Sequence, residues 1–229
     1  MMNKLLNTTI SVLAGLTISF NVLAVAGVEL DSANTDINDQ NSLQNGAKLF
    51  MNYCSGCHSI SFMRYNRIGK DLGISDADVE KNLMFSGDKI GEPITSSMSS
   101  KGAVKWFGTT PPDLSLVSRS KGVDWIYTYL RSFYKDESRP FGVNNKILVN
   151  ASMPDVLWEL KQNKSAEDFD QDVRDITNFL DYVGEPAKLV RVDLGYKVLA
   201  FLFVLFILSY LLKKEYWKDV KYGKWRAKD

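Results

Sequence analysis

Cys54-Ser55-Gly56-Cys57-His58 is the stretch that decides how this chain is read. It is C-x-x-C-H, the attachment signature of a c-type haem. The spacing has a chemical basis. Two thiols three residues apart can add to the two vinyl groups on one edge of a porphyrin, and the next residue then sets an imidazole beneath the iron. His58 is the only histidine in the 229 residues, and Cys54 and Cys57 are the only cysteines. A closed structural zinc site takes four Cys or His ligands, more than the chain owns. A thioredoxin-like pair should follow a strand, whereas this pair follows a helical pattern of Leu43, Ala47, Phe50 and Met51 on one face. Cys54, Cys57 and His58 are therefore the expected haem-binding residues, with one haem c held covalently per chain. No cysteine is left for a disulfide.

Outward from the motif, two segments are apolar for reasons other than a soluble core. Ile10 to Ala26 follows Lys4 and ends Leu23-Ala24-Val25-Ala26. A short positive start, an apolar run and an A-x-A site read as a secretory signal peptide over 1–26. Near the other end, Val198 to Leu212 carries no charge. Extended back to Leu194, with Lys197 snorkelling, it reaches the ~17–25 residues that span a bilayer. The expected anchor is 191–212, and 213–229 is a tail with seven basic and three acidic residues. By the positive-inside rule that tail is cytoplasmic and the body, 27–190, is outside. The whole chain balances 28 basic against 27 acidic residues, but the body alone holds 18 and 23, a net charge of −5.

Within the body, 27–42 is rich in Asp, Asn and Ser and reads as a mobile leader. Gly and Ser breaks divide 59–105, with a helical stretch at 76–85 and loop over 86–103. Pro111-Pro112 excludes helix nearby. Asp124 to Tyr134 has a helical stripe of Ile126, Tyr129, Leu130 and Phe133, followed by an irregular connection over 135–150. Ser165 to Asp168 resembles a capping box. It opens a helix whose apolar face is Phe169, Val173, Ile176, Leu180 and Val183, stopped by Gly184 and Pro186. The fold expected is mostly α, a class I cytochrome c-like haem domain with long loops plus one C-terminal transmembrane helix.

An electron-transfer haem needs a second axial ligand, and without a second histidine a methionine thioether is the expected choice. Met63 lies too close in sequence to His58 to reach the opposite haem face, and Met51 belongs to the helix before it. Met84, Met98 and Met153 remain. Met153 is favoured because Pro154 fixes the backbone beside it, and Met98 is second.

The chain resembles cytochrome c1, the haem c subunit of quinol:cytochrome c reductase, the cytochrome bc1 complex. The resemblance is carried by Gly46-Ala-Lys-Leu-Phe-Met-Asn-Tyr-Cys-Ser-Gly-Cys-His-Ser59, Trp106-Phe-Gly-Thr-Thr-Pro-Pro-Asp-Leu-Ser115, Tyr127-Thr-Tyr-Leu-Arg-Ser-Phe-Tyr134, Ser138-Arg-Pro-Phe-Gly142, Asn150-Ala-Ser-Met-Pro-Asp-Val-Leu-Trp-Glu159 and Leu212-Lys-Lys-Glu-Tyr-Trp-Lys218. It covers nearly everything from about residue 40 onward, although the stretch between Trp158 and Phe169 is shorter than in many members. It implies His58 and Met153 as axial ligands, thioethers from Cys54 and Cys57, and a basic residue at the haem propionates, Arg119 or alternatively Lys121. It also implies single-electron relay from the Rieske iron–sulfur protein to a cytochrome c acceptor, with cytochrome b as neighbour in a dimeric complex of the bacterial inner membrane. The subunit itself would have no independent catalytic activity, and no nucleic-acid partner is expected. The competing reading is a membrane-tethered monohaem carrier, or an oxidase cytochrome subunit, outside that complex.

Overall fold

The structure, a computed structural model, describes residues 28–223. The signal-peptide reading of 1–26 and the last six residues of the tail lie outside the described residues. Of the N-terminal unit, Met1–Leu30, residues 28–30 are described and have no regular structure. The second unit begins at Asp31.

Its frame is a pair of helices. Helix α1 (Gln40–Tyr53) starts where the Asp39 carboxylate accepts the Ser42 N–H, and it buries Leu43, Ala47, Phe50 and Met51. The last body helix, here α8 (Ala166–Gly184), is capped by Ser165, whose oxygen accepts the Asp168 N–H while its hydroxyl donates to the Asp168 carboxylate. Its stripe of Phe169, Val173, Ile176, Leu180 and Val183 is buried against α1 and its neighbours. Each such side chain withdrawn from water contributes about 1.5–3 kcal/mol.

The two helices meet closely. Gly46 faces the Asp175 carbonyl so tightly that a Cβ there would lie 2.0 Å from the oxygen. Phe50 and Phe179 pack at 5.6 Å between ring centroids. A polar layer sets the register. The buried Asp175 carboxylate accepts from Ser42 Oγ at 2.7 Å, Asn45 Nδ2 at 2.7 Å and Gln171 Nε2 at 2.8 Å. A one-turn slip of α1 would take Ser42 and Asn45 away from that buried carboxylate and leave it only Gln171, which is costly. The position of residues 54–58, directly after α1, is fixed by this contact.

Between α1 and α8 run β1 (Ile60–Arg64), α2 (Tyr65–Leu72), α3 (Asp76–Asn82), β2 (Pro93–Ile94), α4 (Ser100–Phe107), α5 (Val117–Lys121), α6 (Val123–Arg131), β3 (Phe133–Lys135), β4 (Val143–Asn145) and α7 (Trp158–Asn163). Helices α5 and α6 pack on α8. The expected loop 86–103 contains β2, which pairs antiparallel with β1, and the start of α4. The expected irregular connection 135–150 contains β4, which pairs antiparallel with β3 in the register Phe133↔Asn145 and Lys135↔Val143. These strands are too short to show an alternation of side chains, which is why the sequence pattern misses them.

The mobile leader is also corrected. Residues 31–39 are strapped onto α6 and α8. Asp31 N–H donates to Thr128 Oγ1 at 2.9 Å, Ala33 N–H to the Asp124 carboxylate at 2.8 Å, and Asn178 Nδ2 to the Asp36 carbonyl at 2.7 Å. Arg131 joins Asp31 and Asp170 at 2.8 and 2.7 Å. Ala33 and Ile37 are buried. The Asp and Asn side chains that suggest a solvated segment instead serve as partners for particular N–H groups and cations.

After Gly184-Glu185-Pro186-Ala187 the chain enters α9 (Lys188–Lys221), one continuous helix. Its stretch Lys188–Lys218 has a mean hydropathy of 2.1 in its most apolar window, none of which is buried within the chain. It is long and apolar enough to cross a membrane. The helix begins three residues before the expected anchor and carries on into the basic tail.

Candidate functional site

The motif winds as a turn off the end of α1. Cys54 and Ser55 N–H both donate to the Phe50 carbonyl, at 2.8 and 3.0 Å, and Cys57 and His58 N–H both return to the Cys54 carbonyl, at 3.0 and 2.8 Å. Ser55 Oγ donates to Met51 O at 2.7 Å. Cys54 and Cys57 are not bridged to each other. Burial pushes the Cys54 thiol up to about 12, with Cys57 beside it adding to the effect, and burial raises Cys57 as well.

His58 Nδ1 lies 2.8 Å from the Pro112 carbonyl oxygen. A carbonyl only accepts, so Nδ1 carries the proton and the Nε2 lone pair is left to bind a metal. Burial lowers the imidazole's pKa, and the Pro112 carbonyl and Asp113 oppose the shift. The Pro-Pro-Asp-Leu-Ser stretch is clamped to the strand after the motif. Leu114 N–H donates to Ser59 O at 2.8 Å, Ser61 N–H and Oγ donate to Asp113 at 3.0 and 2.7 Å, and Phe62 N–H donates to Ser115 Oγ at 3.1 Å. Burial alone would raise the Asp113 carboxyl, but hydrogen bonds from Ser115 and Ser61 outweigh it and hold the group below the usual carboxylate range. The double proline withholds two N–H donors and leaves the Pro112 carbonyl facing His58.

Met153 is half-buried against the core. Its Sδ accepts from the Tyr129 hydroxyl at 3.6 Å. The loop that carries it is pinned by two asparagines of β4. Asn144 Oδ1 accepts the Asn150 N–H at 2.8 Å, and the fully buried Asn145 spans Tyr129 O, Ile147 N and Leu148 N. Asn150 sits at φ 64, left-handed for a residue with a side chain, and Arg139 Nη2 donates to its carbonyl at 3.0 Å. Tyr129, Asn144 and Asn145 hold Met153 and its loop, contacts that the sequence reading missed. The adjacent Asn144-Asn145 pair in an otherwise irregular stretch was the available signal.

A cavity of about 180 Å³ lies beside this loop, lined by Trp106, Phe107, Arg139, Phe141, Ala151 and Ser152 among others. The Arg139 Nε in its wall is buried without a partner. Lys121 Nζ stands 5.5 Å over the Trp125 ring, which stacks on Tyr129 at 4.9 Å. The Arg119 guanidinium pairs with Glu185, just before the anchor, at 2.6 Å. Met98, the second ligand candidate, sits in a loop tied to the motif itself, since Ser96 Oγ accepts its N–H and donates to Gly56 O. Met51 and Met63 are buried in the core. A more open hollow of about 400 Å³, lined by Phe62, Met63, Arg64, Arg67, Lys70 and Pro186 among others, contains none of Met84, Met98 and Met153.

These residues fit a haem c. One imidazole has its tautomer fixed by a carbonyl, and two thiols stand next to it. One thioether has a lone pair remaining beyond the one that meets Tyr129. Trp106 in α4, Leu116 after the proline stretch, Phe141 between β3 and β4, and Leu148 and Val149 before Met153 expose 40–74% of their surface. That is the apolar surface a flat porphyrin would cover.

Residues 82–220, which include Pro112, Met153 and the anchor, match the family model described as Cytochrome C1 family. The chain belongs to the cytochrome c1 family. It is 47% identical to the cytochrome c1 of Allochromatium vinosum over 96% of this chain and all of that protein. The cytochrome c1 of Rhodospirillum rubrum is 28% identical over 80% of this chain and 84% of its own length. A protein named ammonia monooxygenase gamma subunit from Nitrosomonas europaea is 44% identical over 84% of this chain and 89% of its own length. Cytochrome c1 proteins carry one covalently bound haem c, and this member is a membrane-anchored electron-transfer subunit of the cytochrome bc1 complex, where it accompanies cytochrome b. The reading as a carrier outside that complex is not favoured.

Proposed function

We propose that His58 and Met153 are the axial ligands, that Cys54 and Cys57 form the thioethers, and that the chain passes single electrons from the Rieske iron–sulfur protein to a cytochrome c acceptor. The observation that carries this is the pair of locks: Pro112 holds the proton on His58 Nδ1, and Tyr129 holds Met153 Sδ. When bound, the haem supplies a one-electron couple, and histidine with methionine ligation sets it at high potential. The protein's part is orientation. The turn at 54–58 presents both thiols beside the imidazole, and Asn144 and Asn145 hold the Met153 loop. Arg119, which also pairs with Glu185, is the cation proposed for the propionates, with Lys121 as the alternative, and Arg139 beside the Met153 loop is a further cation near them. Cys54 to His58 and the methionine loop belong to a body proposed to lie in the periplasm, 27–190, between a signal peptide, 1–26, and an inner-membrane anchor, 191–212, with the tail, 213–229, in the cytoplasm. The complex is proposed to be dimeric. No catalytic activity of its own is assigned to the subunit; quinol chemistry falls to cytochrome b.

Met153→Leu tests the ligand set. Haem stays attached, because the thioethers and His58 are untouched. Its potential drops and the ferrous protein binds carbon monoxide. A variant with wild-type potential that does not bind carbon monoxide would show that another group holds the sixth position.

A further inference from the structure

The geometry points to Tyr129 as a positioning residue that raises the potential of the haem by donating a hydrogen bond to the Met153 thioether. The inference rests on Met153 being the ligand. A thioether sulfur has two lone pairs. One faces the Tyr129 hydroxyl at 3.6 Å, a distance suited to the large sulfur atom, and the other remains for the iron. The donated proton draws electron density from sulfur. A poorer donor favours the reduced, less charged iron, which is the outer-shell route by which proteins tune bound metals.

The ring holds the hydroxyl oxygen beside the sulfur. The Tyr129 ring is stacked on Trp125 at 4.9 Å with 8° between planes and meets Phe133 edge-on at 5.3 Å. Its backbone carbonyl is held by Asn145 Nδ2 at 2.8 Å, and the same asparagine organises the loop leading to Met153. Donor and acceptor are thus fixed to each other through one buried side chain. Tyr129 is buried, and a phenol ordinarily keeps its proton until about pH 10. It is therefore an O–H donor throughout the neutral range. The stack continues to Lys121 over Trp125. A cation there lies at the far end of the same aromatic column and adds no second donor to the sulfur.

Tyr129→Phe removes the donor and keeps the ring with both of its aromatic contacts. The test is a redox titration of the haem in the intact complex, read beside the sulfur-to-iron charge-transfer band of the ferric protein. The expected result is a retained band and a lower midpoint. The shift corresponds to a threefold to tenfold change in the one-electron equilibrium constant, the range of one net hydrogen bond, or at most ~59 mV. An unchanged midpoint with the band retained overturns the role of Tyr129 and leaves Met153 as ligand. A band missing from the wild-type protein, or a Met153→Leu variant with unaltered potential, overturns the ligand reading and this inference with it. A second variant separates donation from packing. 4-Aminophenylalanine at position 129 retains an N–H donor and should recover most of the shift; an equal drop in both variants refutes the hydrogen-bond account.

Discussion

Gly46→Ala sets two physical effects against each other, and the structure decides between them. In an exposed helix the change is favourable, by ~1 kcal/mol, because alanine orders more cheaply than glycine. Here the added Cβ would lie 2.0 Å from the Asp175 carbonyl oxygen, 2.7 Å from its carbon and 2.8 Å from Phe179 Cβ. The neighbours are backbone and the root of a side chain, so no rotamer change relieves the clash. Bringing the closest contact out to 3.4 Å, an ordinary distance, moves α1 away from α8 by about 1.4 Å. Overpacking of this kind costs about 3 kcal/mol. Set against the propensity gain, the net loss is about 2 kcal/mol, which in a chain of this size is roughly 4–8 °C in Tm. The shift also reaches the site. Cys54 and Ser55 hang from the Phe50 carbonyl, so the motif travels with α1, and a binding constellation tolerates only ~0.5 Å. The assay is thermal unfolding of purified holoprotein by circular dichroism, with haem content per chain measured alongside. Gly195→Ala, in α9 with nothing within 4 Å of its Cβ, serves as the control and should lose nothing. A Gly46→Ala protein as stable as wild type, with full haem, would refute the account of the α1–α8 contact.

Two further predictions concern the proline loop and the orientation in the membrane. Asp113→Asn weakens the clamp that faces Pro112 toward His58. The folded carboxyl titrates below its unfolded value, so its stabilisation is complete above pH ~4, the unfolded carboxylate value, and is lost as pH falls through the lower folded value. The Tm gap between wild type and Asp113→Asn should therefore be constant at neutral pH and close only on acidification below that point; a gap that vanishes already at pH 6 contradicts the assignment. Protease applied to the periplasmic face should remove the haem body while sparing an epitope fused after Asp229, and loss of that epitope would reverse the topology.

The sequence by itself determined the cofactor and the outline of the fold. Cys54, Cys57 and the sole histidine leave one chemistry, and they are adjacent in the chain, so local reading suffices. Helix α8 was legible because its stripe, its Ser165 cap and its Gly184 stop are all short-range signals. The anchor was legible because a long uncharged run has few other uses. What the tertiary structure decided depends on partners distant in sequence. The segment 31–39 has the composition of a free leader, yet Thr128, Asp124 and Asn178 hold it. Lys121 and Arg119, two residues apart, are equivalent in sequence. Only the fold sends Arg119 to Glu185 and Lys121 to Trp125, because successive odd positions on one turn of helix face different neighbours. The Tyr129 contact with Met153 was equally hidden. Helical spacing predicts Tyr129 as a core residue, and it is one; that its hydroxyl meets a sulfur 24 residues away follows from the packing of α6 against the asparagine-pinned loop, which no local pattern encodes.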